Sequence, residues 1–273
     1  KLTLAQNKIN EAIAYFIKAY DIDQNRIDIL EEAANLSLRS RQLDQARDLY
    51  KKLINIDKNN AYYLSTYIDL MVMRGDYDNG IIALESLIKL EGETTERLTQ
   101  LGILYYKLGN SLKAKPLFEK LLEIGDTDAT VLHFLSSIYL EQNKLDSSIV
   151  IAYRLMDHFP SDPRGYLDVA LVELNGENPS GAIDILEPVS EKFQKEFSVQ
   201  YLLGSSYQQL KEYDKATTLL RRSLTIYPDS RGARHTLAIA TDAMKYWSES
   251  DSLYEGLIAS DTNDVQALNN YSY

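Results

Sequence analysis

Small and large apolar residues recur along this chain at a spacing that predicts its architecture. The segment Leu202-Leu203-Gly204-Ser205-Ser206-Tyr207, followed by Tyr213, Ala216, Leu220 and Pro228, has a counterpart 102 residues upstream in Leu101-Gly102, Tyr105, Ala114, Phe118 and Asp126. That offset is three times 34, and stepping by 34 gives repeat starts at 27, 61, 95, 129, 163, 197, 231 and 265 without an insertion or deletion. Position 8 of the frame is small in most repeats (Ala34, Gly102, Ser136, Ala170, Gly204, Ala238), Ile68 being the exception. Position 20 is small throughout (Ala12, Ala46, Gly80, Ala114, Ser148, Ala182, Ala216, Ser250). Position 24 is large in most (Phe16, Tyr50, Leu84, Phe118, Leu186, Tyr254), with Ala152 departing. A small residue lets two helices approach, and a large one a turn later fills the space beside it, so each repeat is predicted to be a helical hairpin.

Gly75-Asp76, Gly109-Asn110 and Asn175-Gly176 supply tight turns between the two helices of a hairpin. Pro160 and Pro228 stop second helices, because proline has no N–H with which to continue them. Pro188 falls inside a second helix and predicts a local kink there.

Composition narrows the function. With 29 basic and 40 acidic side chains the net charge is −11, which disfavours nucleic acid as a partner. The absence of cysteine removes disulfides, zinc thiolates and thiol nucleophiles, and leaves the redox compartment unread. No apolar run approaches the ~18 residues of a membrane span, so a soluble chain is expected. The 12 glycines and 6 prolines are few, as long helices joined by short turns require.

The recurring small, aromatic and proline positions resemble the tetratricopeptide repeat, a helix-turn-helix unit of the same length, and the resemblance spans the whole chain. The family tryptophan of the first helix is missing from every repeat, and the one tryptophan, Trp247, stands at position 17. The resemblance implies an all-α, right-handed α-solenoid: a single array with repeats 27–60, 61–94, 95–128, 129–162, 163–196, 197–230 and 231–264 flanked by partial repeats 1–26 and 265–273. Lys1 and Tyr273 both fall at position 9, so the chain is expected to begin and end inside first helices, as a segment of a longer protein. The regular, acidic, cysteine-free units resemble those of bacterial assembly and cell-envelope scaffolds.

Chemistry finds little support. His133 and His235 share position 5 but stand three repeats apart, roughly 30 Å at ~8–10 Å per helix, too far to share a metal. His158 sits in a last helical turn, where a cation suits the dipole. Asp21-Ile22-Asp23-Gln24-Asn25-Arg26 with Glu32 imitates a calcium loop, but Arg26 stands where such a loop turns on glycine, and the stretch reads as a junction between repeats. Asn35-Leu36-Ser37 and Asn270-Tyr271-Ser272 match a glycosylation acceptor inside predicted helices. No phosphate loop, paired-histidine helix or nucleophile elbow occurs, so no catalytic residue, metal ligand or cofactor is expected. Seven of the 20 tyrosines (Tyr50, Tyr77, Tyr105, Tyr139, Tyr207, Tyr213, Tyr254) occupy core positions and are read as packing.

By resemblance the first helix of each repeat lines the concave side, and positions 2, 5, 9 and 12 form one stripe on it. The stripe supplies the candidate partner-binding residues Glu31, Asn35, Tyr62, Asp69, Tyr106, His133, Ser137, Arg164, Leu167, Leu171, Tyr201, Ser205, Gln208 and His235. Its character runs from acidic to apolar, so the N-terminal half should prefer basic segments, with Leu167, Leu171, Tyr201 and Gln208 the most ligand-ready patch. Co-chaperone members of the family hold a C-terminal carboxylate with a lysine at position 5, but Glu31 occupies that place beside Asn35, which disfavours such capture. The expected function is a non-enzymatic scaffold that takes a peptide or helix of a protein partner in its groove. The rival reading is the targeting arm of an enzyme, such as a glycosyltransferase or kinase, whose catalytic domain lies beyond the segment. Self-association through uncapped ends is a third possibility.

Overall fold

The computed structural model describes residues 2–125 and 128–271, and among these every regular element is helical. Lys1, Asp126, Ser272 and Tyr273, which carry the frame's ends, one turn match and part of a glycosylation match, lie outside the described residues. The chain divides into two compact lobes, Lys1–Thr127 and Asp128–Tyr273. The first lobe contains α1 (Leu2–Ile22), α2 (Ile27–Arg39), α3 (Leu43–Ile56), α4 (Ala61–Arg74), α5 (Tyr77–Glu91), α6 (Thr95–Lys107) and α7 (Ser111–Glu123). The second contains α8 (Ala129–Glu141), α9 (Leu145–His158), α10 (Pro163–Asn175), α11 (Pro179–Leu186), α12 (Phe197–Gln209), α13 (Tyr213–Ile226), α14 (Arg231–Ala243), α15 (Trp247–Ser260) and α16 (Val265–Tyr271). Within each lobe consecutive helices pack as hairpins, as the spacing predicts.

Local chemistry marks both ends of the helices. Position 34 caps the first helix of the following repeat: the side chains of Asn60, Thr94, Asp128, Asp162, Ser230 and Asp264 each accept an orphan backbone N–H of the first turn. Position 16 does the same for second helices through Asp76, Asn110 and Asn178. Between the helices, position 15 is left-handed in seven successive repeats: Arg41, Gly75, Gly109, Asn143, Glu177, Lys211 and Lys245, with φ between 55° and 78°. The turn closes through a bond from the N–H at position 16 to the carbonyl at position 11, for example Glu212 to Tyr207 and Tyr246 to Thr241, both at 2.9 Å. This is a Schellman end, and the hydrogen-bond ring sets the conformation whichever residue stands there. The turn expected at Asn175-Gly176 is corrected by one place, since Gly176 has φ −80° and Glu177 carries the left-handed backbone.

A side chain pays about 1–2 kcal/mol for that conformation, offset in part by the greater freedom glycine loses on folding. Lys211→Gly is therefore expected to raise stability, by up to about 1 kcal/mol, in urea unfolding. A lower midpoint would show that the lysine supplies something the turn needs.

The predicted core positions close as expected. Positions 8, 20 and 24 are buried in all seven complete repeats. Their sizes compensate: Gly102 faces Phe118, while Ser136 and Ser148 share a buried hydroxyl contact at 3.1 Å in the repeat where position 24 is only Ala152. Two tyrosines at position 11 do more than pack. Tyr105 donates its hydroxyl to Glu85 at 2.5 Å, Tyr207 does the same to Glu187, and each acceptor is position 25 of the preceding repeat. Lys113 and Lys215 stand over the two rings, completing the same arrangement 102 residues apart. Burial and the neighbouring carboxylate push the Tyr105 hydroxyl up to about 12.

In the partial repeat 1–26 the described residues form one helix instead of a hairpin: α1 runs unbroken from Leu2 to Ile22, and Asn7, at position 15, is helical. Pro188 breaks its helix rather than kinking it: α11 ends after 8 residues, a short 3-10 turn covers Glu187–Val189, and irregular turns follow. The fully buried Gln200 makes the break tolerable, its amide donating to the carbonyls of Ser190 at 2.9 Å and Phe193 at 3.4 Å. Pro116, also inside a helix, leaves α7 continuous.

Candidate binding face

None of the fourteen stripe residues is buried: Tyr62 and Asp69 are exposed and the other twelve are half-buried, so the face is accessible. In the first lobe the structure brings Glu31, Asn35 and Tyr62 together. The carboxamide oxygen of Asn35 accepts from Tyr50 at 2.6 Å and from Tyr62 at 3.1 Å, and the two hydroxyls lie 3.4 Å apart. Tyr50, Tyr62 and Tyr63 pack their rings at centroid distances of 6.1 to 6.5 Å. Burial, and then the hydroxyl's bond to Glu31, hold Tyr63 in its neutral form well above the ordinary tyrosine range. Tyr50 reaches this cluster from α3 with its ring in the core, so reading it as packing alone missed its hydroxyl.

Asp69 lies seven residues beyond Tyr62 on α4, two turns along the same face. It makes no ion pair or side-chain hydrogen bond among the described residues. Its neighbours strip enough water from the carboxyl to raise it above the ordinary aspartate value. Tyr106 is half-buried on α6.

In the second lobe the stripe is partly committed to internal bonds. His133 on α8 meets Asp168 of α10 through Nδ1, at 2.9 and 3.1 Å from the two carboxylate oxygens. Arg164 turns back on Asp162 with contacts of 2.6 to 3.1 Å, holding that carboxyl below the usual range. His235 donates through Nε2 to Asp264 at 2.8 Å, and Asp264 also accepts from Arg231 at 2.6 Å and from the backbone N–H of Ala267 at 3.0 Å. Asp168 and Asp264 lie off the stripe and were missed, although the position 34 capping pattern marks Asp264 in the sequence.

Leu167 and Tyr201 pack against the core formed by Ala170, Leu186, Val199 and Leu203. Tyr201 also stacks on Phe197 at 5.5 Å, and its hydroxyl lies 2.9 Å from where a side chain on Gly232 would begin. Leu171, one turn beyond Leu167 on α10, is half-buried. Ser137, Ser205 and Gln208 have partly exposed side chains without a hydrogen bond among the described residues.

Among the described residues no group of histidine and carboxylate side chains converges as metal ligands, and no helix is long and apolar enough to cross a membrane. His158 closes α9, its Nδ1 2.9 Å from the carbonyl of Arg154. The calcium-like stretch forms the α1–α2 junction, with Asp23 bonded to the N–H of Asn25 and Arg26 to Asp28.

Tetratricopeptide repeat profiles match residues 3–67, 95–124 and 198–230. Among curated proteins, the BBSome complex member BBS4 of Bos taurus is 20% identical over 269 residues, 97% of this chain and 51% of that protein. Lipopolysaccharide assembly protein B of Escherichia coli K12 is 24% identical over 197 residues, 69% of this chain and 51% of that protein. The chain thus spans about half the length of these relatives. Among solved structures, a tetratricopeptide repeat protein from Parabacteroides merdae superposes with a TM-score of 0.71 at 13% identity, covering 90% of this chain and 97% of that one. Cut9–Hcn1 of the APC/C superposes at 0.68 with 13% identity, covering 98% and 53%. With the repeat profile matching at three places and the same hairpin closing between them, the chain belongs to the tetratricopeptide repeat proteins, a family of scaffolds for protein interaction.

Proposed function

We propose that this chain holds a segment of a protein partner along its first-helix stripe, without catalysis, and that the first lobe takes a basic part of that segment. The observation that carries the reading is Asp69: a partly desolvated carboxylate with no cation among the described residues, on the same face as the exposed Tyr62. A lysine or arginine of the partner would supply the missing charge, and Tyr62 a broad surface with a hydroxyl. Ser137, Ser205 and Gln208 offer free hydrogen-bonding groups for a backbone or polar side chain in the second lobe.

Leu167 and Tyr201 are poor sites for testing this, since both support the repeat core. Asp69→Lys and Tyr62→Ala are better, because these residues are exposed. In affinity capture from an extract of the source cells, each variant is expected to lose at least about tenfold of whatever partner the native chain retains, the equivalent of one charge-assisted contact of about 1.4 kcal/mol. Circular dichroism checks that the variants remain folded. Equal retention by the native chain and Asp69→Lys would place the interface elsewhere.

A further inference from the structure

The hairpin of α14 and α15 breaks the frame at its tip, outside the first-helix stripe. Position 17 is half-buried in the other six complete repeats, as Leu43, Tyr77, Ser111, Leu145, Pro179 and Tyr213. Here it is Trp247, the sole tryptophan, with 55% of its surface exposed. Position 16 is polar in those six repeats and caps α5, α7 and α11. Here it is Tyr246, exposed and without a capping bond. The repeat thus gives up a cap and leaves two large rings in water side by side, neither of which helps it fold. Departures from local rules without a gain in packing are expected where a surface serves recognition. We propose that this tip is a second docking surface, one that takes a proline-rich segment of a protein partner in the polyproline II conformation.

The two rings border an open pocket of about 880 Å³. Ser248 and Ser252, one turn apart on α15, also line it. They stand at positions 18 and 22, where every other complete repeat has a larger side chain at one or both places, so the small pair leaves a trough beside the rings. Leu253 extends the lining towards the core that it shares with Ala216 and Leu220 of α13.

The free polar groups of the pocket favour donation. Trp247 Nε1 and the Lys245 ammonium can only donate, and Tyr246, Ser248 and Ser252 add three hydroxyls, none with a side-chain partner among the described residues. The one carboxylate in the lining, Glu249, has both oxygens taken by Arg221 of α13, at 2.7 and 3.0 Å. The charge left over is that of Lys245, which suits carbonyl oxygens and disfavours a cationic ligand. A polyproline II segment is the complement: its carbonyls are free, proline has no N–H to satisfy, and its rings pack on aromatic faces. It is also formed before binding, so little conformational entropy is lost. A sugar brings as many donors as acceptors, and the carboxylate that would receive them is occupied.

The test is a titration of the full chain with a polyproline peptide, followed by the emission of Trp247, which as the sole tryptophan reports this pocket directly. A saturable change is expected by millimolar peptide, with none on adding a Gly-Ser peptide of equal length or maltohexaose. In calorimetry, which needs no tryptophan, Trp247→Ala should lower the affinity at least about tenfold, the loss of an aromatic anchor. Ser252→Leu, which fills the trough and keeps the tryptophan, should weaken binding in the same way and serves if Trp247→Ala does not fold, as circular dichroism will tell. Asp69→Lys should leave polyproline affinity unchanged, which separates this surface from the first-helix stripe. No saturable change with polyproline, an equal or larger response to maltohexaose, or undiminished affinity in a folded Trp247→Ala or Ser252→Leu chain would overturn the assignment.

Discussion

Gly165→Val is expected to part α9 from α10 and to cost about 3 kcal/mol or more, the upper end for overpacking. At Gly165 a Cβ would stand 2.6 Å from both the Cα and the N of Met156. Those are backbone atoms, which cannot swing aside as the end of a side chain can. The same position in the other complete repeats holds Ile29, Tyr63, Arg97, Val131, Val199 and Ala233, and glycine at this one lets the two backbones meet directly. Widening it also displaces the Asp168–His133 bond, which crosses from α10 to α8. Urea unfolding followed by far-UV circular dichroism should show an early transition, and an unchanged midpoint would mean that the helices can separate there without loss.

Gly204→Leu is expected to have the second-largest effect, confined to one lobe. A Cβ on Gly204 would lie 2.9 Å from Cγ of Leu220 and 3.2 Å from Cβ of Leu219, and the remaining carbons of leucine would have to enter a fully packed hairpin. Here the obstacle is side chain, so α12 and α13 can spread at about 1–3 kcal/mol. Stability in stacked repeats is close to a sum of local terms and nearest-neighbour interfaces. The hairpins around Gly204 should therefore melt first while the first lobe keeps its helices. The sole tryptophan, Trp247, lies in the second lobe, so its emission should change at lower urea than the total helix signal. One shared transition for both signals would contradict local additivity.

These two glycines were not equally visible beforehand. Gly204 stands at position 8, where the frame demands a small residue, and the structure places it against Leu220 at position 24 as the pattern implies. Gly165 stands at position 3, where the frame has no rule, and only the separation of α9 and α10 explains it. The binding face divides in the same way. The spacing of Tyr62 and Asp69 along a helix was enough to put them on one face, because helical periodicity is a property of the chain. The Tyr50 hydroxyl on Asn35, Asp168 behind His133 and the Tyr105–Glu85 link depend on which helix packs beside which, and at what depth.

The two internal prolines show where local information stops. Pro116 and Pro188 both remove a backbone donor from a second helix, yet α7 continues while α11 ends. Nothing in the residue itself separates them. The segment after the break is held by Gln200, a buried amide delivered from the next helix to the carbonyls of Ser190 and Phe193. The left-handed turns make the same point: Arg41 and Glu177 adopt the backbone of Gly75 and Gly109 because the hydrogen bonds closing each hairpin require it. Spacing and residue size along the chain therefore determined the repeat, its hairpins and its core, since these follow from helical period and close packing. Packed neighbours decided which hydroxyls, carboxylates and imidazoles meet and which helix may break, since burial makes an unpaired polar group costly and thereby selects its partner.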